Sequence, residues 1–452
     1  METIQAANEN HSADKNKLLR ILGVTFGLAV VIGGTIGVGI LRSPGAVAAQ
    51  LGSVWLVILV WTLGGVYSLL GANYTAELAT MIPKAGGPYV YAHRAYGDYG
   101  GFVVGWSDWL LNTLSIAYIS IVFGEYAAAL LAPNFSSGVV VFSVTILLLL
   151  TALNWIGLRA GSGTQKLTSL LKAIALLGFI VACFIFGGQN NSVSAEQTTV
   201  IAPSGFALFT GFILAFQLVL GTYAGWNSAV YFAEEDTNPE QNIPRSMFGG
   251  IALIIAIYLL VNLALLYVLP LSQMAASKFA GADAMNLIFG ERSGQIITVL
   301  ALLSIIGIIN ANLMFTPRTL LALGRDGLFL DKAATVNKGG TPVFALLMTV
   351  LPAIILITIG TFEILLAVTE FFAVTNTILL IGSLFLLRRR EPDLPRPFRA
   401  WGYPFAPLVM LLAAILLFFG YIVSNLSNSL YAIVALATSY PIFLLIKKTR
   451  AR

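Results

Sequence analysis

The chain has 452 residues, 58% of them hydrophobic and only 10% charged, with a mean hydropathy of +0.87; a soluble globular domain does not read this way. One cysteine, Cys183, excludes an internal disulfide framework, and with only two histidines, His11 and His93, most metal-site patterns go too. The net charge of +5 fits Lys and Arg gathered in the cytoplasmic loops of a membrane protein better than a nucleic-acid surface, so no nucleic acid, metal or other cofactor is expected.

Residues 1–19 are polar (Glu2, Glu9, Asp14, Lys15, Lys17) and read as a disordered cytoplasmic tail, with no signal-peptide cleavage site after them. The first apolar segment, near 20–50, is roughly 30 residues long where a bilayer core needs about 20. It is interrupted by Ile32-Gly33-Gly34-Thr35-Ile36-Gly37-Val38-Gly39. Glycines this dense unwind a helix, and unwound backbone at membrane depth is tolerated where it lines a cavity. Further spans are predicted near 53–81, 99–131, 137–157, 165–187, 205–234, 246–270, 293–323, 342–361, 364–388, 404–422 and 427–446, about twelve in all. Pro83-Lys84-Ala85-Gly86-Gly87-Pro88 and the prolines of 392–397 punctuate them. The stretch 187–204, rich in Asn, Ser, Gln and Thr, is the longest expected extracellular loop, and Asn134-Phe135-Ser136 fits a glycosylation pattern. A basic cytoplasmic tail, 447–452, ends the chain.

With the N-terminus inside, about 21 of the 25 Lys and Arg fall on the cytoplasmic side, leaving Arg42, Lys172, Lys278 and Arg292. That bias places both termini in the cytoplasm, in a cell inner membrane. The run Arg388-Arg389-Arg390 reads as a stop-transfer signal and headgroup anchor.

The sixth span repeats the anomaly of the first. It is also about 30 residues long and carries Gly221-Thr222-Tyr223-Ala224-Gly225-Trp226-Asn227-Ser228 at mid-span. Close helix packing would explain one such cluster. Two clusters separated by five spans sit in units of opposite topology, which is the inverted-repeat pattern. The expected organisation is therefore an all-α core over 20–390 with inverted repeats of about 20–187 and 205–390, then two further spans over 391–446. A half-helix starting near Gly37-Val38-Gly39 presents unpaired N–H groups to a carboxylate. A half-helix ending near 221–224 presents free carbonyls to an ammonium group. Together they suit an α-amino acid zwitterion without burying a charged side chain.

These residues resemble the amino acid–polyamine–organocation (APC) transporter superfamily over about residues 20–400. Gly37-Val38-Gly39-Ile40-Leu41 is similar to its first-span motif, and the segment 83–91 to its first cytoplasmic loop. Tyr223-Ala224-Gly225-Trp226-Asn227, with Glu234-Glu235 and Ile243-Pro244-Arg245, looks like the sixth span and loop of the L-type amino acid transporter branch, and Gly324-Arg325-Asp326-Gly327 is typical after span eight. The resemblance implies a LeuT-like 5+5 fold with discontinuous helices 1 and 6, and alternating access. It implies that the amides of Gly37, Val38 and Gly39 hold the carboxylate and the carbonyls of Ile36, Gly221 and Ala224 the amino group. Val38 replaces the usual serine, and Gly221 stands where an aromatic gate is common, which leaves Tyr223, Phe216 or Trp226 to gate the pocket.

Lys172 lies about two turns into span five, where spacing alone fits a snorkelling lysine equally well. The resemblance implies that it replaces a sodium ion, with Ser304 and the backbone near Ile32 and Gly33 as partners. Transport is then sodium-independent, and proton-coupled or exchanging. Asp108 either pairs with a basic group such as Lys172 or is solvated near the cytoplasmic mouth. Glu125 and Arg42 each fit a vestibule or an interface. Asn112, Ser115, Asn310 and Asn312 are polar at bundle depth, where interhelical hydrogen bonds explain most such residues. A salt bridge from Glu234-Glu235 to Arg159 or Arg245 is expected to close the cytoplasmic side. With no pocket carboxylate beyond Asp108 and Glu125, neutral L-amino acids are the expected substrates, and cationic amino acids or polyamines the alternative. Short tails argue against a non-transporting sensor. The absence of paired catalytic groups argues against an enzyme. Oligomeric state is not readable.

Overall fold

The computed structural model describes residues 17–190, 203–424 and 426–450. Most of the expected N-terminal tail, residues 191–202 of the expected outer loop and the last two residues of the basic tail lie outside the described residues.

The apolar runs form helices because a helix satisfies its own backbone where water is absent. In chain order they are α1 (Val24–Thr35), α2 (Gly39–Leu51), α3 (Val54–Met81), α4 (Pro88–Leu131), α5 (Gly138–Ile156), α6 (Leu158–Phe186), α7 (Gly205–Tyr223), α8 (Pro239–Val268), α9 (Leu271–Ala276), α10 (Ala280–Phe289), α11 (Gly294–Arg325), α12 (Val343–Ile359), α13 (Phe362–Arg390), α14 (Phe405–Ser424), α15 (Leu426–Ala437) and α16 (Ser439–Arg450). Among the described residues, ten helical segments are long and apolar enough to cross a membrane, or 11 with the bent pair α1–α2 counted as one span. The protein is a multi-pass integral membrane protein. The expected span at 342–361 corresponds to α12, whose 17 residues fall short of that length. Trp55, Ile156 and Leu416 are 83%, 74% and 74% exposed, an apolar outer surface suited to lipid.

Three details differ from the sequence reading. The expected third span, 99–131, is the later part of a 44-residue helix kinked at Gly97, whose φ of 77° only glycine adopts without strain. The last expected span, 427–446, is two helices meeting at Thr438. The short helices α9 and α10 follow α8; at 6 and 10 residues they are too short for hydropathy to reveal. They lie on α2: a methyl group on Gly45 would stand 2.4 Å from the Ser277 carbonyl oxygen.

α1 packs against α6, α8 and α11, and α4 against α11 and α13. Residues before α1 are extended rather than helical, and Leu22 pairs with Asp236 in a single parallel bridge. Arg388 is no headgroup anchor. Its guanidinium grips the fully buried carboxylate of Glu77 on α3 at 2.8 and 2.5 Å. The backbone N–H of Ala400 also donates to Glu77, at 2.6 Å. The connection after α13 is thereby fastened to α3, because a buried carboxylate must be paired and hydrogen-bonded.

Candidate functional site

α1 ends at Thr35, α2 restarts at Gly39, and the two are bent by 45°. Among the described residues, the amides of Gly37, Val38, Gly39 and Ile40 donate to no protein acceptor. They form the bare N-terminus of α2, where the helix dipole favours negative charge. α7 ends at Tyr223, and the chain turns through 224–227 into a 3-10 turn, Ser228–Phe232. The Ala224 N–H reaches back to the Gly221 carbonyl at 3.4 Å, and among the described residues the carbonyls of Tyr223 and Ala224 accept nothing. Gly221 and Ala224 are exposed.

The two breaks touch. A methyl group on Gly225, whose φ is +104°, would stand 2.5 Å from the Gly34 carbonyl oxygen. Behind them, the buried hydroxyl of Tyr258 on α8 lies 3.2 Å from the Thr35 carbonyl and 3.0 Å from that of Thr222, sharing its proton between the last turns of α1 and α7. Tyr258→Phe leaves both carbonyls short of a donor at a cost of about 1–2 kcal/mol. The expected outcome is a lower melting temperature of the purified protein, together with uptake reduced about tenfold.

The glycines also permit close approach. Methyl groups on Gly33 and Gly37 would stand 2.1 Å from Gln165 Nε2 and 2.5 Å from Ile308 Cδ1, and one on Gly39 would press on Thr222 at 3.2 Å. Packing and interruption are therefore served by the same residues.

Lys172, 2% exposed, donates from Nζ to the carbonyls of Gly33 at 2.9 Å, Ile36 at 2.8 Å and Ser304 at 3.0 Å. It does not snorkel. Its ammonium occupies a cage of carbonyls between α1 and α11, and it takes up the Ile36 carbonyl that the sequence reading offered to a ligand. Ser304 contributes its backbone carbonyl.

Asp108 is neither paired with Lys172 nor solvated. It is buried and accepts from Tyr231 Oη at 2.7 Å and Thr319 Oγ1 at 2.9 Å, tying α4 to the 3-10 turn and to α11. Asn112 reaches Tyr231 Oη at 3.4 Å, and Ser115 donates to the Leu111 carbonyl. Asn310 bonds Gly161 and Gln165, and Asn312 bonds Ile308. Tyr223 is buried, donates to the Trp61 carbonyl at 3.2 Å and lies edge-on to Tyr258. The Trp226 ring covers Gly71 on α3. Phe216 meets Tyr67 edge-on at 6.0 Å. Glu125 and Arg42 are exposed.

A carboxylate absent from the sequence reading borders the second break. Among the described residues, Glu370 Oε1 on α13 is the only atom outside the local helix within 4 Å of where a methyl group on Gly221 would sit, at 3.6 Å. The expectation of a neutral substrate rested on there being no such group. A lone acid in the predicted span 364–388 was the signal that could have found it.

On the side where α1 begins, two acid–arginine pairs join the segment after the second break to α11. Glu235, fully buried, accepts from Arg318 at 2.5 and 2.7 Å, and Glu234 accepts from Arg325 at 2.8 Å. The expected partners Arg159 and Arg245 are not used; the true ones come from α11. The Arg318 guanidinium also lies over the Phe232 ring, 4.4 Å from its centroid. Burial opposes ionisation of Asp326, yet hydrogen bonds from His93 and Tyr89 hold its carboxyl below the usual range. These contacts tie the end of α11 to α4.

Residues 22–445 match the amino acid permease family. The chain is 29% identical to the "Serine/threonine exchanger SteT" of Bacillus subtilis (strain 168) over 448 residues, covering 98% of this chain and 100% of that protein. It is 29% identical to the "b(0,+)-type amino acid transporter 1" of Mus musculus over 424 residues, covering 90% and 84%. It is also 29% identical to the "Asc-type amino acid transporter 1" of Mus musculus over 444 residues, covering 96% and 82%.

Proposed function

Because the chain belongs to the amino acid permease family, and is a secondary active amino acid transporter of the APC superfamily rather than an enzyme, we propose that it moves L-α-amino acids across the cytoplasmic membrane by alternating access between the two broken helices. The observation that carries this reading is the pair of free backbone ends: bare amides at Gly37–Gly39 beside bare carbonyls at Tyr223 and Ala224, with the breaks in contact at Gly34 and Gly225. Oriented amides bind a carboxylate and carbonyls bind an ammonium, so the site holds the part of the substrate common to all amino acids.

In this reading the core is a LeuT-like 5+5 inverted repeat of the L-type branch, with both termini cytoplasmic. The Glu235–Arg318 and Glu234–Arg325 pairs close the cytoplasmic side while the site opens outward. Transport is sodium-independent, since the Lys172 ammonium holds the carbonyls that would otherwise coordinate a cation. Exchange is the first coupling mode, in line with the name of the bacterial relative. Proton coupling through Lys172 is the second, favoured by its burial without a carboxylate partner.

The test is uptake of labelled amino acids into liposomes holding the purified protein, with and without internal amino acid and with and without a pH gradient. Exchange predicts uptake only with internal amino acid, and proton symport predicts uptake driven by the gradient alone. No uptake of any amino acid under either condition would overturn the reading.

A further inference from the structure

We propose that Glu370, hydrogen-bonded by Tyr421, binds a cationic group on the substrate side chain, a primary ammonium or a guanidinium, and so selects amino acids that carry one. The proposal rests on the amino acid reading above and adds the side-chain class to it.

Glu370 is only partly buried, and its Oε1 lies 3.6 Å from where a methyl group on the exposed Gly221 would sit, with no other atom of the described residues outside the local helix within 4 Å. Gly221 sits in the last turn of α7, two residues before the free Tyr223 carbonyl, so the carboxylate adjoins the ammonium seat without being part of it. Tyr421 on α14 donates to Glu370 Oε2 at 3.3 Å. Tyr421 is partly exposed.

Among the described residues, Glu370 makes no ion pair with any Lys, Arg or His, whereas the buried acids Glu77 and Glu235 each have an arginine. A carboxylate at this depth without a counter-ion is costly. An alkylammonium or guanidinium entering beside Gly221 supplies the missing charge. Glycine at 221 places no side chain over Glu370 Oε1. An uncharged side chain in the same space leaves the carboxylate bare.

The experiment compares L-lysine with Nε-acetyl-L-lysine, which has the same stem without the charge, as competitors of labelled amino acid uptake into liposomes holding the full chain. Lysine is expected to compete at a concentration at least tenfold lower. Glu370→Gln is expected to bring that ratio close to one, and Glu370→Asp, which keeps the charge but shortens its reach, to retain part of it. Equal potency of the two competitors in the unmodified protein would overturn the proposal, and this holds even if a variant fails to fold. Equal loss of both competitors in Glu370→Gln would also overturn it, because the carboxylate would then act on the shared α-ammonium. Uptake of uncharged amino acids without any lysine preference sinks this proposal alone. Absence of all amino acid uptake sinks the underlying reading with it.

Discussion

Replacing Lys172 with methionine is expected to lower amino acid uptake by at least about 100-fold, corresponding to about 3 kcal/mol. Methionine keeps an unbranched apolar stem but removes the donors that Gly33, Ile36 and Ser304 share. Each carbonyl left buried without a partner costs about 1–3 kcal/mol. Two of the three flank the break between α1 and α2, so the loss falls on the backbone that presents the amides of Gly37–Gly39. The third belongs to α11, so the same substitution loosens α1 from its neighbour. A melting curve of the purified variant separates loss of the site from loss of the fold. Uptake within twofold of the parent would show that the carbonyl cage does not support the site.

Arg318→Met is expected to open the seal. The substitution leaves Glu235, fully buried, without its bidentate partner. Stranding one member of a buried ion pair costs about 3–5 kcal/mol, or roughly 10²–10⁴-fold in a conformational equilibrium. Val230, in the 3-10 turn five residues before Glu235, is fully buried. The one natural cysteine, Cys183, is buried as well, so the background reactivity is low. A Val230→Cys reporter should resist an aqueous thiol reagent in the parent and react at least about 100-fold faster with Arg318→Met. Adding Glu235→Leu should recover part of the protection, because it removes the stranded charge. Equal labelling rates in parent and variant would contradict the assignment of this pair as the seal.

The sequence made the two interruptions legible because glycines stand out in apolar runs, and the helices do stop within a residue or two of Ile36 and Ala224. It also made Lys172 conspicuous as a lysine two turns inside a span, though its third partner, the Ile36 carbonyl, depends on how α1 ends in space. Pairings across long chain separations were beyond it. Arg159 and Arg245 looked as plausible for Glu235 as Arg318, which lies 83 residues away and meets it only because α11 packs beside the 3-10 turn. Arg388 looked like a lipid anchor because its carboxylate partner, Glu77, sits 311 residues earlier on α3. Glu370 is a single acid among aromatic and β-branched neighbours, and nothing in its local pattern tells that it faces a glycine on another helix.

The account's central claim is that two backbone ends recognise the two charges of an amino acid. It is tested most directly by competing uptake of a labelled L-amino acid into liposomes with three analogues of the same side chain: the intact amino acid, the amine lacking the carboxylate, and the acid lacking the amine. The intact amino acid should compete, and each truncated analogue should be at least about 100-fold weaker, since each leaves one set of buried polar groups unpaired. Competition by either truncated analogue at a concentration similar to that of the intact amino acid would contradict it.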